Sequence, residues 1–166
     1  PAADKQTTSL LDLEGKVFAY ADSYSNTGYL VPRSFLRQSG KDENTFFRKT
    51  FFTWSHRKVI VAVTEGLADG GSIDSFVWDT LSVIHPELTQ QTRIVTKSEE
   101  YGFPPIVVGS SISKQDSATM RGVLIDMRSD PDGLALLTRL NIDGFIAGDV
   151  KLYEKVARFQ TALSKP

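Results

Sequence analysis

The sequence predicts an α/β domain in which helices are layered on a mostly parallel β-sheet of about five strands. Short β-rich runs alternate with segments of helical periodicity over residues 16–108, and helical periodicity alone continues toward the C-terminus. Such alternation is typical of βαβ units, whose strands run parallel. A chain of 166 residues is long enough for one such domain with a substantial core.

The first two strands are predicted where apolar, β-forming residues cluster, at residues 16–21 and 51–54. A short, glycine-containing strand is predicted at residues 68–72. A helix is predicted after each strand, because apolar residues follow at helical spacing. With their caps, the helices run from Thr27 to Gln38, from Ser55 to Gly66 and from Asp74 to Ile84. Ser55 and Asp74 are natural N-caps, and Gly66 is a natural stop.

Two more extended runs and three more helices are predicted in the rest of the chain. The extended runs are residues 93–97 and 104–108, and the second begins with two prolines. The helices cover residues 118–127, 131–141 and 152–163. Pro131 suits a first helical position, and Asp149 is a natural cap for the last helix.

The chain is predicted to divide into three parts. These are a tail or linker at residues 1–9, an α/β domain at residues 10–108 and a helical segment at residues 109–166. No apolar run reaches the roughly 18 residues that a membrane helix needs. The polar N-terminus lacks the apolar core of a signal peptide. A start at Pro1 without Met favours a fragment of a longer protein.

Composition excludes several classes of function. The formal net charge is -1, which argues against a broad surface for nucleic acid. There is no cysteine, so disulfides, cysteine zinc sites and thiol nucleophiles are excluded. The two histidines lie far apart in sequence, so no metal site is predicted. Nucleophile-elbow and phosphate-loop motifs are also absent, and we therefore predict neither an enzyme nor a bound cofactor.

The loop after the first strand holds several hydroxyl and amide side chains immediately before a helix. They are Ser23, Ser25, Asn26 and Thr27, and Gly28 follows them. A helix N-terminus offers free N–H groups and about half a positive charge, and glycine lets a ligand approach the backbone. The loop can therefore form a cradle for an anion. Simple N-capping is the alternative, since Ser, Asn and Thr are also preferred caps.

The next two strand ends carry the other candidate ligand-binding residues. Ser55 and His56 begin the second helix, where an imidazole can donate to an anion and titrates near neutral pH. A lone histidine can equally be held by a local carbonyl. Asp74 and Ser75 begin the third helix, and Asp74 is more often expected to cap its own helix than to bind a ligand. Ligands of parallel sheets bind where strands end and helices begin.

Four segments, in the family's order, resemble the second lobe of type 2 periplasmic solute-binding proteins of the phosphate and phosphonate branch. They are Leu11–Ala19, Asp22–Pro32, Trp54–Gly70 and Ser98–Val108. The corresponding family patterns are L-x-D-L-x-G-K, D-P-x-S-x-S-G-Y-x-x-P, S-H-x-x-A-x-x-A-x-x-x-G-x-x-D-A-G and S-P-x-x-x-x-P-x-V-V. The resemblance extends over about residues 10–163.

This resemblance implies a three-layer α/β/α lobe and an extracytoplasmic function. The domain would bind a phosphate-, phosphite- or phosphonate-like anion in the periplasm for an ABC importer. Ligand roles are implied for Ser25, Asn26, Thr27 and His56. Carboxylates that some members place near Phe76 and Pro104 are absent at those two positions, which argues against an aminophosphonate. The first lobe would precede this chain, so the site would be open to solvent.

The same resemblance leaves a second function open. Such domains also serve as ligand-sensing or partner-binding domains of membrane signalling proteins, with an altered site. The partner would then be a signalling module in place of an ABC permease. The apolar face of the last helix is also expected to be exposed and to permit a homodimer. That face consists of Leu152, Val156 and Phe159.

Overall fold

A computed structural model describes residues 6–163 of the chain. Residues 1–5 of the predicted tail and residues 164–166 of the predicted helical segment lie outside the described residues. The described chain forms two compact units. One comprises residues 6–100 with 155–163, and the other comprises residues 101–154. The predicted division at residue 108 stays a prediction.

Three parallel strands form the sheet of the larger unit. They are β1 (Val17–Tyr20), β2 (Lys49–Phe52) and β3 (Gly70–Gly71). The strand order is β2-β1-β3, and both outer strands run parallel to β1. The predicted parallel α/β sheet is therefore confirmed. The predicted number of about five strands is wrong for the part of the chain that the structure describes.

The strand predictions at residues 93–97 and 104–108 are wrong, because both segments are irregular. A run with high β-propensity becomes a strand only beside a partner that completes its hydrogen-bond ladder. Within residues 6–163, neither segment has such a partner. Pro104 and Pro105 also lack the N–H group that a ladder requires.

Helices follow all three strands, as predicted. The α-helices are α1 (Val31–Gln38), α2 (His56–Thr64), α3 (Ser75–Ile84), α4 (Pro86–Thr89), α5 (Lys114–Asp126), α6 (Pro131–Leu140) and α7 (Glu154–Leu163). A π-helical turn at Asn26–Leu30 leads into α1. Short 3-10 helices lie at Leu10–Leu13, Met127–Ser129 and Val150–Tyr153. Among the described residues, every helix is too short or too polar to span a bilayer.

Alternate side chains of β1 supply the two faces of the sheet, since successive strand residues point in opposite directions. Phe18 and Tyr20 pack with Leu36 of α1 on one face. Ala19 packs with Val59 of α2 on the other face. A helix thus covers each side of the sheet, which confirms the predicted three-layer α/β/α arrangement in this unit.

The face toward α1 is aromatic. Phe18 stacks on Phe47 with ring centroids 4.3 Å apart, and Tyr20 meets Tyr29 edge-on at 5.1 Å. Successive ring contacts form one aromatic row that runs from the core to the surface. Its members are Phe47, Phe18, Tyr20, Tyr29, Phe52 and Trp54. Ring pairs of this kind add about 0.5–1.5 kcal/mol each beyond the area they bury.

Both residues of β3 are glycines because other elements approach them closely. A Cβ atom on Gly71 would lie 2.3 Å from Cγ1 of Val59 in α2, and one on Gly70 would lie 2.6 Å from Cδ1 of Leu13. These distances are far below van der Waals contact. The glycines therefore allow α2 and the first 3-10 helix to pack directly on the edge of the sheet.

A buried carboxylate holds α1 in place. The side chain of Glu43 is 3% exposed and lies 3.5 Å from Nη2 of Arg33. Arg37 donates from Nε to Oε2 of Glu43 at 3.0 Å and pairs with its second oxygen through Nη2. Another nitrogen of Arg37 donates to the carbonyl of Ala162 in α7. Glu43 and its two arginines thus connect α1 to the following loop and to the C-terminal helix.

The smaller unit is helical, and α6 begins at Pro131, as predicted. The backbone N–H of Gly133 donates to Oδ1 of Asp130 at 2.7 Å, so Asp130 caps α6 and Pro131 occupies the first turn. Asn141 ends this helix in the left-handed conformation, with φ 56°. Leu137 is its buried core residue.

Candidate functional site

The strand order places the candidate site at the carboxyl end of β1. The chain passes from β1 to β2 on one side and reaches β3 on the other side. In open parallel sheets, ligands bind at the point where strand order reverses in this way. The loops after the three strands begin at Ala21, Thr53 and Ser72. They contain most of the side chains that the sequence predicts to bind a ligand.

Ser25 is the centre of the first loop. It occupies the N-cap of the π-helical turn, and its Oγ accepts from the backbone N–H of Gly28 at 3.0 Å. The same oxygen lies 3.4 Å from Nε2 of His56. The capping role that the sequence leaves open for this loop is therefore present, and it coexists with a contact to the second predicted loop.

The hydrogen bonds of His56 fix the protonation of its ring. The backbone N–H of Asp74 donates to Nδ1 of His56 at 3.1 Å. Because a backbone N–H can only donate, Nδ1 carries no proton and the ring is neutral with its proton on Nε2. Burial lowers the pKa of His56, and the charges of Asp74 and Asp22 only partly oppose that effect. Both ring nitrogens are thus turned toward neighbouring protein groups.

This arrangement leaves Ser25 with one free donor. Its oxygen accepts from Gly28 and faces the protonated Nε2 of His56, so both lone pairs are engaged. The hydroxyl hydrogen has no acceptor among the described residues. The side chain of Ser25 can therefore donate to a ligand without losing a bond of its own.

The third loop is joined to the first by Thr27 and Ser72. Oγ1 of Thr27 donates to Oδ2 of Asp74 at 3.2 Å, and Oγ of Ser72 donates to the carbonyl of Thr27 at 2.6 Å. The second carboxylate oxygen of Asp74 accepts from the N–H of Phe76 at 2.9 Å. Asp74 is thus the N-cap of α3, which is the role the sequence favours. Its two oxygens are occupied by protein donors.

Gly28 makes the convergence of these loops possible. A Cβ atom at this position would lie 2.5 Å from Cβ of Ala21, 2.9 Å from Oγ of Ser25 and 3.0 Å from Cε1 of His56. The carbonyl of Gly28 also accepts from the N–H of Ala21 at 3.2 Å. The sequence explains Gly28 by access for a ligand, whereas the structure adds a steric requirement within the site itself.

Backbone donors around the cluster are unsatisfied. The N–H groups of Asn26 and Thr27 have no acceptor in the part of the chain that the structure describes. Ser55 occupies the N-cap of α2, but its side chain makes no capping hydrogen bond. The first turn of α2 instead carries Arg57 and Lys58, and no acidic residue. Cations are unfavourable beside the positive end of a helix dipole, so Arg57 and Lys58 do not compensate the dipole of α2.

The structure brings together about half of the predicted ligand-binding residues. Ser25, Thr27, Gly28, His56 and Asp74 form one hydrogen-bonded and packed cluster, called the loop cluster below. Within residues 6–163, no hydrogen bond joins the other four predicted residues to it. They are Ser23, Asn26, Ser55 and Ser75. Ser75 is exposed, and the side-chain oxygen of Asn26 is buried without a partner.

Two residues of the site are not predicted by the sequence. Ser72 bonds to the backbone of Thr27, and its position directly after a strand is the signal that could have identified it. Trp54, two residues after β2, has φ 59°, and no sequence pattern indicates a backbone of that kind for a tryptophan. Across residues 6–163, no group of three potential metal ligands occurs.

Comparisons with known proteins agree with the family that the sequence resembles. A family model described as "ABC transporter, phosphonate, periplasmic substrate-binding protein" matches residues 2–153. The curated probable ABC transporter phosphite binding protein PhnD1 of Prochlorococcus marinus is 24% identical over 165 residues. That match covers 94% of this chain and 54% of the relative, so the chain spans about half the length of that protein.

Solved structures show the same fold. PhnD1 from Prochlorococcus marinus in complex with methylphosphonate has a TM-score of 0.78 at 21% identity, over 95% of this chain and 60% of that one. A binding protein component of an ABC phosphonate transporter from Pseudomonas aeruginosa has a TM-score of 0.77 at 21% identity, over 95% of this chain and 53% of that one. At these identities, the likeness is one of fold.

Proposed function

The chain belongs to the family of periplasmic substrate-binding proteins of ABC phosphonate transporters, and from this membership we propose that it binds a phosphate- or phosphonate-like anion. The binding site is the loop cluster at the carboxyl end of β1. The observation that carries the proposal is the free hydroxyl of Ser25, held between Gly28 and His56 at the start of a helical turn. This group can donate to an anion without rearrangement.

Neutral donors suit an oxyanion because they stabilise charge without an ion pair. The free N–H groups of Asn26 and Thr27 and the uncapped first turn of α2 add partial positive charge beside Ser25. Both oxygens of Asp74 accept protein donors, which moderates its repulsion of an anion. The cluster offers donors in excess of acceptors, as a doubly charged ligand requires.

The whole protein would deliver this ligand to an ABC permease from the periplasm. The family description supports transport over a signalling function, since it names a transporter component. The relative from Prochlorococcus marinus is likewise described as a phosphite binding protein of an ABC transporter. A sensor function and a homodimer through Leu152, Val156 and Phe159 remain predictions without further support. Val156 and Phe159 are half-buried and Leu152 is exposed.

The proposal is tested by a two-dimensional amide NMR titration of this chain with phosphate, phosphite, methylphosphonate and sulfate. The method detects millimolar binding, equivalent to about 4 kcal/mol. We expect saturable shifts at residues 25–28, at His56 and at the first turn of α2. A folded spectrum that shows no saturable shifts at these residues would overturn the proposal.

A matched pair of variants identifies the donor. Ser25→Ala should weaken binding about tenfold or more, because a hydrogen bond to a charged group contributes about 1.5–3 kcal/mol. Ser75→Ala should bind as the wild type does, because Ser75 is exposed and lies outside the loop cluster. Equal affinity of the two variants would remove Ser25 from the site.

A further inference from the structure

Trp54 has a backbone conformation that is unfavourable for its side chain. Among residues 6–163, only Trp54 and Asn141 have positive φ without being glycine. Asn141 ends a helix, where asparagine is well tolerated in the left-handed region. Trp54 has φ 59°, and a bulky aromatic residue is strained there. Glycine would accept the same backbone without strain.

Burial of the ring does not offset this strain, because Trp54 is 69% exposed. The indole touches the rest of the protein at the outer end of the aromatic row, where its centroid lies 5.6 Å from that of Phe52. A large apolar ring is thus held in solvent at a strained position. Strain of this kind persists at ligand sites more often than elsewhere.

The backbone of Trp54 is fixed beside the loop cluster. Its N–H donates to the carbonyl of Ala21 at 2.7 Å, and Ala21 lies directly before the first loop. The next two residues are Ser55 and His56, which begin α2. The backbone of Trp54 therefore lies next to the loop cluster, and its indole contacts Phe52 and is otherwise largely exposed.

We propose that Trp54 determines which anion the site selects, because its indole face contacts an apolar substituent on a phosphonate. This inference rests on the proposed function. The site would then favour carbon-substituted phosphonates over inorganic phosphate. An apolar substituent fits better than a cationic one. Both oxygens of Asp74 accept hydrogen bonds from protein donors, which reduces the capacity of this carboxylate to pair with an amine.

The test measures the ratio of affinities for phenylphosphonate and phosphate by NMR titration. The wild type should prefer phenylphosphonate, and Trp54→Gly and Trp54→Ala should each lower that preference about tenfold, since each removes a ring pair. Trp54→Phe should retain most of it. Leu67→Ala, which removes another exposed apolar side chain, should leave the ratio unchanged.

Stability provides a second measurement. Trp54→Gly should melt at a higher temperature than Trp54→Ala, because only glycine relieves the strain at φ 59°.

A wild-type chain that binds phosphate and phenylphosphonate equally, or a Trp54→Gly variant with an unchanged ratio of affinities, would overturn the inference while leaving the anion site intact. Failure to bind any anion would instead overturn the proposed function.

A fluorescence measurement separates direct contact from an indirect effect. The chain has two tryptophans, so Trp78→Phe leaves Trp54 as the single indole. Phenylphosphonate should then quench or shift the emission, and methylphosphonate should do so less. Preference for 2-aminoethylphosphonate over phenylphosphonate would show that a cationic group is selected, and would contradict the apolar assignment.

Discussion

His56 is the residue whose chemistry is most tightly specified by its neighbours. Its neutral tautomer depends on the N–H of Asp74, and burial holds the pKa of His56 below its ordinary value of 6.5. A group whose pKa is lowered by folding contributes stability that is present above its pKa in the unfolded chain. That stability is lost as the pH falls through its pKa in the folded chain. Protonation at Nδ1 would also break the bond from Asp74.

We expect the pKa of His56 to be below 6.5 in the free chain and to rise when an anion binds. The rise follows because a nearby negative charge favours the charged ring. NMR titration of the imidazole signals of His56 with and without methylphosphonate measures this rise. No change in His56 at saturating ligand would mean that the anion binds elsewhere.

For single residues, the sequence predicts which residues cap helices better than it predicts which distant residues form hydrogen bonds with each other. Ser25 and Asp74 are predictable as caps because capping depends on a few neighbouring residues. The bond from Asp74 to His56 joins residues on two different loops, and only the folded sheet brings them together. The backbone of Trp54 is likewise hard to predict, since its N–H donates to the carbonyl of Ala21, which is distant in sequence.

Among the secondary-structure elements, the π-helical turn at Asn26–Leu30 packs on the end of β1 only because Gly28 has no side chain. Gly28→Ala should destabilise the fold by about 1–3 kcal/mol, as expected for an added methyl group in a filled space. It should also displace Ser25 and His56 and abolish anion shifts. Chemical denaturation with the NMR titration checks both effects.

Gly122→Ala is the matched control for this substitution. Gly122 lies within α5, and a Cβ atom there would meet nothing within 4 Å. Alanine should therefore stabilise this helix by about 0.5–1 kcal/mol. If Gly28→Ala were as harmless as Gly122→Ala, the close approach of the turn to Ala21 and His56 would not hold in solution.

Local composition explains which strands are predicted correctly from the sequence. Residues 16–21 and 51–54 contain enough apolar side chains to be identified as strands, and the predicted glycine-containing run at residues 68–72 includes β3. Residues 93–97 have a similar composition, yet remain irregular. Strand formation depends on a partner strand, and local composition does not reveal whether one exists.

For the molecule as a whole, acid stability should depend on Glu43. Burial alone would raise the pKa of Glu43, but the hydrogen bonds and charges of Arg37 and the charge of Arg33 lower it below its ordinary value of 4.5. The stability that this lowered pKa contributes is complete above 4.5 and is lost as pH falls through the folded value. The structure should therefore loosen in acid as α1 loses its anchor.

We expect Glu43→Gln to reduce the free energy of unfolding at pH 7 by about 2 kcal/mol. This is less than the usual loss for a broken buried ion pair, because Arg37 is partly exposed. Urea denaturation at pH 7 and pH 4 measures it, and the difference from wild type should shrink at the lower pH. Glu14→Gln, which removes an exposed pair with Lys41, is the control and should change little. An equal loss in both variants would contradict the anchoring role of Glu43.

The brevity of β3 also affects how the protein behaves at high concentration. An exposed strand edge offers unpaired backbone groups to which another chain can add, and long apolar edges promote aggregation. Here one edge strand is two glycines long, and the packing of Val59 and Leu13 keeps it from carrying any side chain. The glycines that admit α2 to the sheet thus also leave this side of the sheet a poor template for intermolecular β-pairing.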